Sequence, residues 1–221
     1  MMTSMRALFL MAVAVAAAGC GFTSPGGGSQ TLFVTASLST DGSTSGSRAR
    51  VTVRSGSSNG DIVRNAEVAI RGGPLARTIV PFDDGAQQWR LDGFTWADGI
   101  RLEVVRGNDL LDGSVDAPGA TEIVNPIANT TFRKADNAPL LVRWRDARGG
   151  GATSTTIHLD KAKFDQTLMG GGELAIDAAT LVVDDKERVR VERTNTVSLA
   201  GGVSGSTLSA STEHQIEFKV E

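Results

Sequence analysis

The chain has 221 residues, 25 acidic and 22 basic side chains, a formal net charge of −3 and one cysteine. Charges of both signs are mixed along its length, so no basic stripe is available to neutralise phosphates and nucleic acid is not expected as a partner. With no second cysteine, stability must come from apolar burial rather than disulfides, and roughly two hundred residues are enough for one large core or two small ones.

At the start of the chain, Arg6 precedes an uncharged apolar run from Ala7 to Ala18. As a helix this run would rise only about 18 Å, too short for a hydrocarbon core of roughly 30 Å. That length suits the apolar region of an export signal. A buried core helix would need a polar face, which the run lacks.

The run closes on Ala17-Ala18-Gly19-Cys20, which resembles the signal of bacterial lipoproteins. The resemblance implies that residues 1–19 are a signal peptide removed before Cys20. It also implies that Cys20 carries lipid on its sulfur and links the protein to a membrane. The family usually has Leu where this chain has Ala17. The alternative is an ordinary secretory cut after Ala16-Ala17-Ala18, leaving Cys20 as a stray thiol. Each buried methylene of an acyl chain contributes about 0.8 kcal/mol, and two or more chains anchor stably. Residues 20–30, with three consecutive glycines, then read as a lipidated cysteine and a flexible tether. Gly21 stands where the family's inner-membrane retention signal has Asp, which points to the outer membrane, periplasmic or surface-exposed.

Beyond the tether the pattern is that of strands with one buried face. Alternation is found in Leu32, Val34, Ala36, Leu38, then in Ala49, Val51, Val53, in Val68, Ile70, in Trp89, Leu91 and in Leu102, Val104. It resumes in Leu140, Val142, Trp144, then in Ile157, Leu159, in Val189, Val191 and in Ile216, Phe218, Val220. Clusters such as "STDGSTSGS", "SGSSNGD" and "DARGGGATS" separate these runs as turns. "FDQTLM" and "DAATLV" are each expected to make a single helical turn. Short strands between turn signals indicate an all-β fold of sandwich or barrel type. The tally predicts two tandem immunoglobulin-like antiparallel β-sandwiches, over residues 31–121 and 122–221, each with its own core. One large β-sandwich is the alternative. "AEVAIRGG" and "WADGIRLEVV" resemble the immunoglobulin-like or transthyretin-like modules of bacterial envelope proteins. "LLVRWRDA" with "GGGELAIDAATL" resembles an immunoglobulin-like domain with Trp144 in its core. Such likenesses imply a fold and no activity.

Few residues suggest chemistry. "GSSNG", Gly56 to Gly60, matches a nucleophile-elbow pattern with Ser58 at its centre, but the motif needs a strand–turn–helix setting and here a turn explains it. His158 and Asp160 share one face of a strand and could begin a metal site, yet only His214 is available as a further histidine. Asp109, Asp112 and Asp116 invite a calcium reading, although calcium takes six to eight oxygens. Asp83-Asp84-Gly85 and Asp184-Asp185 mark turns. The glycine triplets lack the Lys-Ser/Thr of a phosphate cradle. Trp89 and Trp144 follow core parity, whereas Trp96 falls in a loop where it would be exposed. No catalytic, cofactor-binding or metal residues are therefore assigned, and Cys20 alone is marked, as a lipid-attachment site. The reading is a non-enzymatic, lipid-anchored cell-envelope protein presenting β-sandwich surfaces to a protein partner. Alternatives are an accessory subunit of an envelope transport or surface-assembly machine, and a hydrolase using Ser58 or His158 and Asp160.

Overall fold

A computed structural model describes residues 30–42, 46–73, 77–148 and 150–221. Residues 1–19, expected to be a signal peptide, together with Cys20 and all of the expected tether but residue 30, lie outside the described residues. The described residues form an all-β fold, and their alternation sets the faces of the strands. In β1 (Leu32–Thr40) the side chains of Leu32, Val34, Ala36 and Leu38 are buried while Thr35 and Ser37 face water. β2 (Arg48–Ser55) returns antiparallel to it with Ala49, Val51 and Val53 on the same inner face. The chain continues through β3 (Glu67–Gly72), β4 (Thr78–Val80), β5 (Phe82–Asp83), β6 (Gln88–Asp92), β7 (Gly99–Arg106) and β8 (Asp109–Asp116). There follow β9 (Ala120–Asn125), β10 (Thr131–Phe132), β11 (Leu140–Arg148) and β12 (Ser154–Leu159). β13 (Phe164–Leu168), β14 (Glu173–Ile176), β15 (Asp184–Ser198) and β16 (Thr207–Val220) complete it.

These strands form three sheets. The largest runs β13-β12-β15-β16-β1-β2-β6-β5, with β10 beside the end of β16. A four-stranded sheet, β4-β3-β7-β8, and a three-stranded sheet, β14-β11-β9, cover different parts of it. The first core lies under the four-stranded sheet, where Val68, Ile70, Leu102 and Leu111 meet Val34, Val51 and Trp89. The second lies under the three-stranded sheet, where Leu140, Val142 and Trp144 meet Ile157, Val189, Val191 and Phe218. Each fully buried aliphatic side chain contributes about 1.5–3 kcal/mol relative to exposure, so these two clusters hold the layers together.

The β15–β16 hairpin belongs to both. Its fourteen-residue second strand spans about 45 Å at the rise of a β-strand. The half nearer the chain terminus packs in the second core, through Phe218 and Val220. The half nearer the turn packs in the first, through Leu208 and Ala210, joined there by Leu199 of the turn. The expected boundary between residues 121 and 122 is thus crossed by a strand pair that supplies side chains to each cluster. β1 lies parallel to β16, pairing Thr35 with Thr207 and Thr40 with Thr212. Leu32 therefore sits beside the hairpin turn, at the end of the molecule away from the second core.

That turn is fastened at several points. Ala200 exchanges backbone hydrogen bonds with Asp112 of β8, at 2.9 and 3.2 Å, and the Val203 amide donates to the Leu32 carbonyl at 2.8 Å. The Val34 amide donates to Ser206 Oγ at 3.1 Å in a buried contact. Gly201 has a φ of +77°, and a Cβ there would lie 2.2 Å from the Leu110 carbonyl oxygen, so only glycine fits.

A polar layer separates the two clusters. Arg193 is 5% exposed and Thr212 is 3% exposed, and they face each other across the hairpin. The Arg193 guanidinium donates to Asp146 at 3.2 Å, and Thr212 Oγ1 donates to the Gly119 carbonyl at 3.0 Å. Burying these groups is tolerable because both guanidinium Nη atoms and the threonine hydroxyl find partners.

Two local expectations are corrected. "FDQTLM" is the edge strand β13 rather than a helical turn. The chain has already reversed at residues 160–163, where the buried Glu187 carboxylate accepts the Lys161 and Ala162 amides at 2.9 and 3.1 Å. Trp96 is half-buried rather than exposed, packed against the first core with its ring 6.0 Å from that of Phe94. By contrast, "DAATLV" does contain a single 3-10 turn, Ala178–Thr180, capped by the Asp177 side chain.

Candidate functional site

The residues singled out for chemistry are dispersed by the fold. Ser58 is exposed in a turn that follows β2, and a Cβ on the neighbouring Gly60 would lie 1.7 Å from the Ser55 carbonyl oxygen. The glycine is there to let the backbone reverse. Residue 62 pairs straight back onto Arg54, and no helix follows. The setting that strains and activates a nucleophilic serine is missing.

His158 lies on the outer face of β12 and hydrogen-bonds through Nδ1 to Asp165 on the neighbouring strand. Its Nε2 is 3.8 Å from Glu192 Oε2. Asp160 pairs with Arg188 instead, at 3.4 Å. His214 is opposite the buried Val191, which places it on the inner face of the same sheet, where Nδ1 accepts the Ile123 amide at 3.2 Å. The two imidazoles are on opposite sides of a sheet and cannot share an ion.

The acidic triplet is divided in the same way. Asp109 has the parity of the buried Leu111 and Val115 and accepts a hydrogen bond from Thr31. Asp112 and Asp116 project from the other face, with Asp112 held by Arg101. Among the described residues, no group of three or more His, Cys, Asp or Glu is arranged to hold a metal ion. Asp83 and Asp184 serve their own turns, accepting the amides of Ala86 and Lys186 at 3.1 and 2.8 Å.

Two surfaces escaped sequence reasoning. At the end of the second core remote from Leu32, Pro126, Ile127, Phe132 and Pro139 line an open groove of roughly 280 Å³. Ile127 is 65% exposed there, an unusual exposure for a large apolar side chain. The second surface is the outer face of the largest sheet over the first core. On it, Arg48, Arg50 and Arg54 alternate with the buried residues of β2, and Arg50 is directly opposite Arg90 of β6. Asp92 accepts from Arg50 at 2.9 Å and lies 3.3 Å from Arg90. The hydrogen bond from Arg50, aided by both positive charges, holds the Asp92 carboxyl below its ordinary value despite some desolvation. Sequence reasoning could have found this face, because "RARVTVRS" places all three arginines at one strand parity.

No helix among the described residues is long and apolar enough to cross a membrane. No known protein-family model matches the chain, and no curated protein is significantly similar to it.

Proposed function

We propose that the protein is a non-enzymatic, lipid-anchored component of the cell envelope that holds β-sandwich surfaces away from the membrane for a protein partner. The reading rests on the lipoprotein-like Ala17-Ala18-Gly19-Cys20 and on one structural observation. The chain enters the fold at Leu32, beside the β15–β16 turn, whereas the apolar groove around Ile127 lies at the opposite end of that hairpin. An anchor at Cys20 would therefore present the groove about one hairpin length, up to roughly 45 Å, from the point of entry. The turn setting of Ser58, and the pairing of Asp160 with Arg188 and of His158 with Asp165, support a binding or structural role over hydrolysis.

Labelled fatty acid tests the anchor. The expected result is label in the wild-type protein, a mature chain starting at Cys20, and loss of both label and membrane retention in Cys20→Ala. Label persisting in that variant, or a mature chain that starts before residue 20, would overturn the reading.

A further inference from the structure

The second sandwich leaves one of its sides open. β13 is the outermost strand of the largest sheet, and β14, reached through residues 169–172, is the outermost strand of the three-stranded sheet. So short a connection sets both edges along the same side of the second core. Phe164 and Leu168 of β13 and Leu174 of β14 pack against that core yet are only partly covered. Met169, between the two strands, is 84% exposed.

An edge strand offers a row of unpaired amides and carbonyls, which proteins commonly blunt. The other edges here are blunted. β5, β4 and β14 have only two, three and four residues. β8 is bridged by Ala200, and in β9 the Ile123 amide is taken by His214. β13 has five residues without proline, lysine or arginine, in unbroken register with β12. Among the described residues, no backbone hydrogen bond reaches it from its far side. Its one charge, Asp165, is turned onto His158 of its own sheet.

The sequence of this edge is self-complementary. Set antiparallel against a second copy with Gln166 opposite Gln166, Phe164 meets Leu168 and Asp165 meets Thr167. Apolar side chains then pair on the inner face, a hydroxyl donates to a carboxylate on the outer face, and the central amides serve each other. Centring the pair on Asp165 would oppose two carboxylates, and centring it on Thr167 would set Gln166 against Leu168.

We infer that β13 pairs antiparallel with β13 of a second copy about a twofold axis at Gln166, joining two of the largest sheets into one and covering Phe164 and Leu168 of each chain. Such an interface is isologous, so every contact occurs twice. Five residues of strand per copy bury less than the standard about 800 Å² per partner, so the dimer forms reversibly as concentration rises. The inference goes beyond the proposed envelope role and does not depend on lipidation.

The test is sedimentation of residues 20–221 carrying Cys20→Ala, which removes both lipid and thiol, from micromolar to millimolar concentration. Expected is a monomer–dimer equilibrium. Adding Thr167→Asp places like charges opposite each other twice and should weaken association roughly fivefold or more, whereas Thr167→Lys faces Asp165 and should associate at least as tightly as the parent. The difference between the two should shrink with added salt. Residue 167 is exposed, and melting curves check that both variants stay folded. Ile127→Ser, in the remote groove, should leave the equilibrium unchanged. A chain that stays monomeric throughout, equal weakening by Thr167→Asp and Thr167→Lys, or a dimer lost in Ile127→Ser and kept in Thr167→Asp would overturn the inference.

Discussion

Replacing Leu208 by alanine tests whether the two cores unfold as one. Leu208 belongs to the second half of the chain yet is fully buried in the first cluster, on the strand that continues into the second. Truncating a leucine of this kind costs about 2–5 kcal/mol, transfer and cavity terms together. For a domain of this size each kcal/mol lowers the melting temperature by about 2–4 °C, so the expected fall is roughly 4–20 °C. The size of the fall matters less than where it is felt. If β15–β16 makes the molecule one cooperative unit, amides in both cores exchange through the same global opening.

Hydrogen exchange of Leu208→Ala should therefore show protection reduced by a similar factor, roughly thirtyfold or more, at Val51 and Val53 and at Ile157 and Leu159. The first pair reports the first core and the second pair the other. Faster exchange in β2 with unchanged exchange in β12 would refute the coupling. So would two separate thermal transitions, only one of them moved by the substitution.

Three further outcomes follow from packing and charge. Trp144→Ala should destabilise the protein by about 3–5 kcal/mol in urea denaturation, since the ring is only 5% exposed in the second core; an unchanged midpoint would show that the ring does not support that core. Gly201→Ala should lower the melting temperature, because a left-handed φ costs about 1–2 kcal/mol for an L-residue and the new Cβ meets the Leu110 carbonyl. A Gly205→Ala comparison, where the nearest atom is the Phe33 ring at 3.4 Å, should be milder. Asp92 and Glu217 are held below the ordinary carboxylate range by hydrogen bonds from Arg50 and Arg188. Their contribution to stability is complete above the usual carboxylate value of about 4 and is lost as pH falls through the lower folded values. Asp92→Asn and Glu217→Gln together should flatten the acid side of a stability–pH curve, and an unchanged acid side would refute the assignment.

The sequence was most legible where one face of a strand is buried. Leu32 to Leu38, Ala49 to Val53 and Ile157 with Leu159 all lie as their alternation implies, because period-two burial is a local property. What alternation does not carry is which strand pairs with which. Nothing in "LFVTASLST" reveals that β1 lies parallel to a strand some 170 positions later, since that choice depends on the hairpin turn reaching Leu32 and Asp112. Trp96 was misplaced for a related reason: its loop folds back on the first core, and the contact is tertiary. The dispersal of His158 and His214 onto opposite faces also needed the register of β15 with β16. By contrast the shared parity of the arginines was present in "RARVTVRS", but only the register with β6 shows Arg90 and Asp92 set among them.

The shared hairpin also bears on how far and how steadily the remote groove is held. Two sandwiches joined by one peptide would swivel about that connection, and the reach of the second would be an average over orientations. Here bending at the junction must disturb Arg193, which is paired with Thr212 on one side and Thr155 on the other. It would also pull the guanidinium from Asp146, exposing an Arg that is now almost fully buried. Stretching the hairpin is equally opposed, because its turn is tied to β1 and β8 while its other end is packed under the three-stranded sheet. Arg193→Met isolates this term. It keeps the bulk of the side chain and removes the charge, leaving Asp146, half-exposed, to be solvated by water. The expected cost is about 1–3 kcal/mol, that of buried hydrogen bonds to a charged group, with the first sandwich's exchange pattern preserved. Small-angle scattering should then show a broader range of lengths than for the wild type. An Arg193→Met protein as stiff as the wild type would mean that the strand pair alone sets the reach, and that the polar layer only separates the cores.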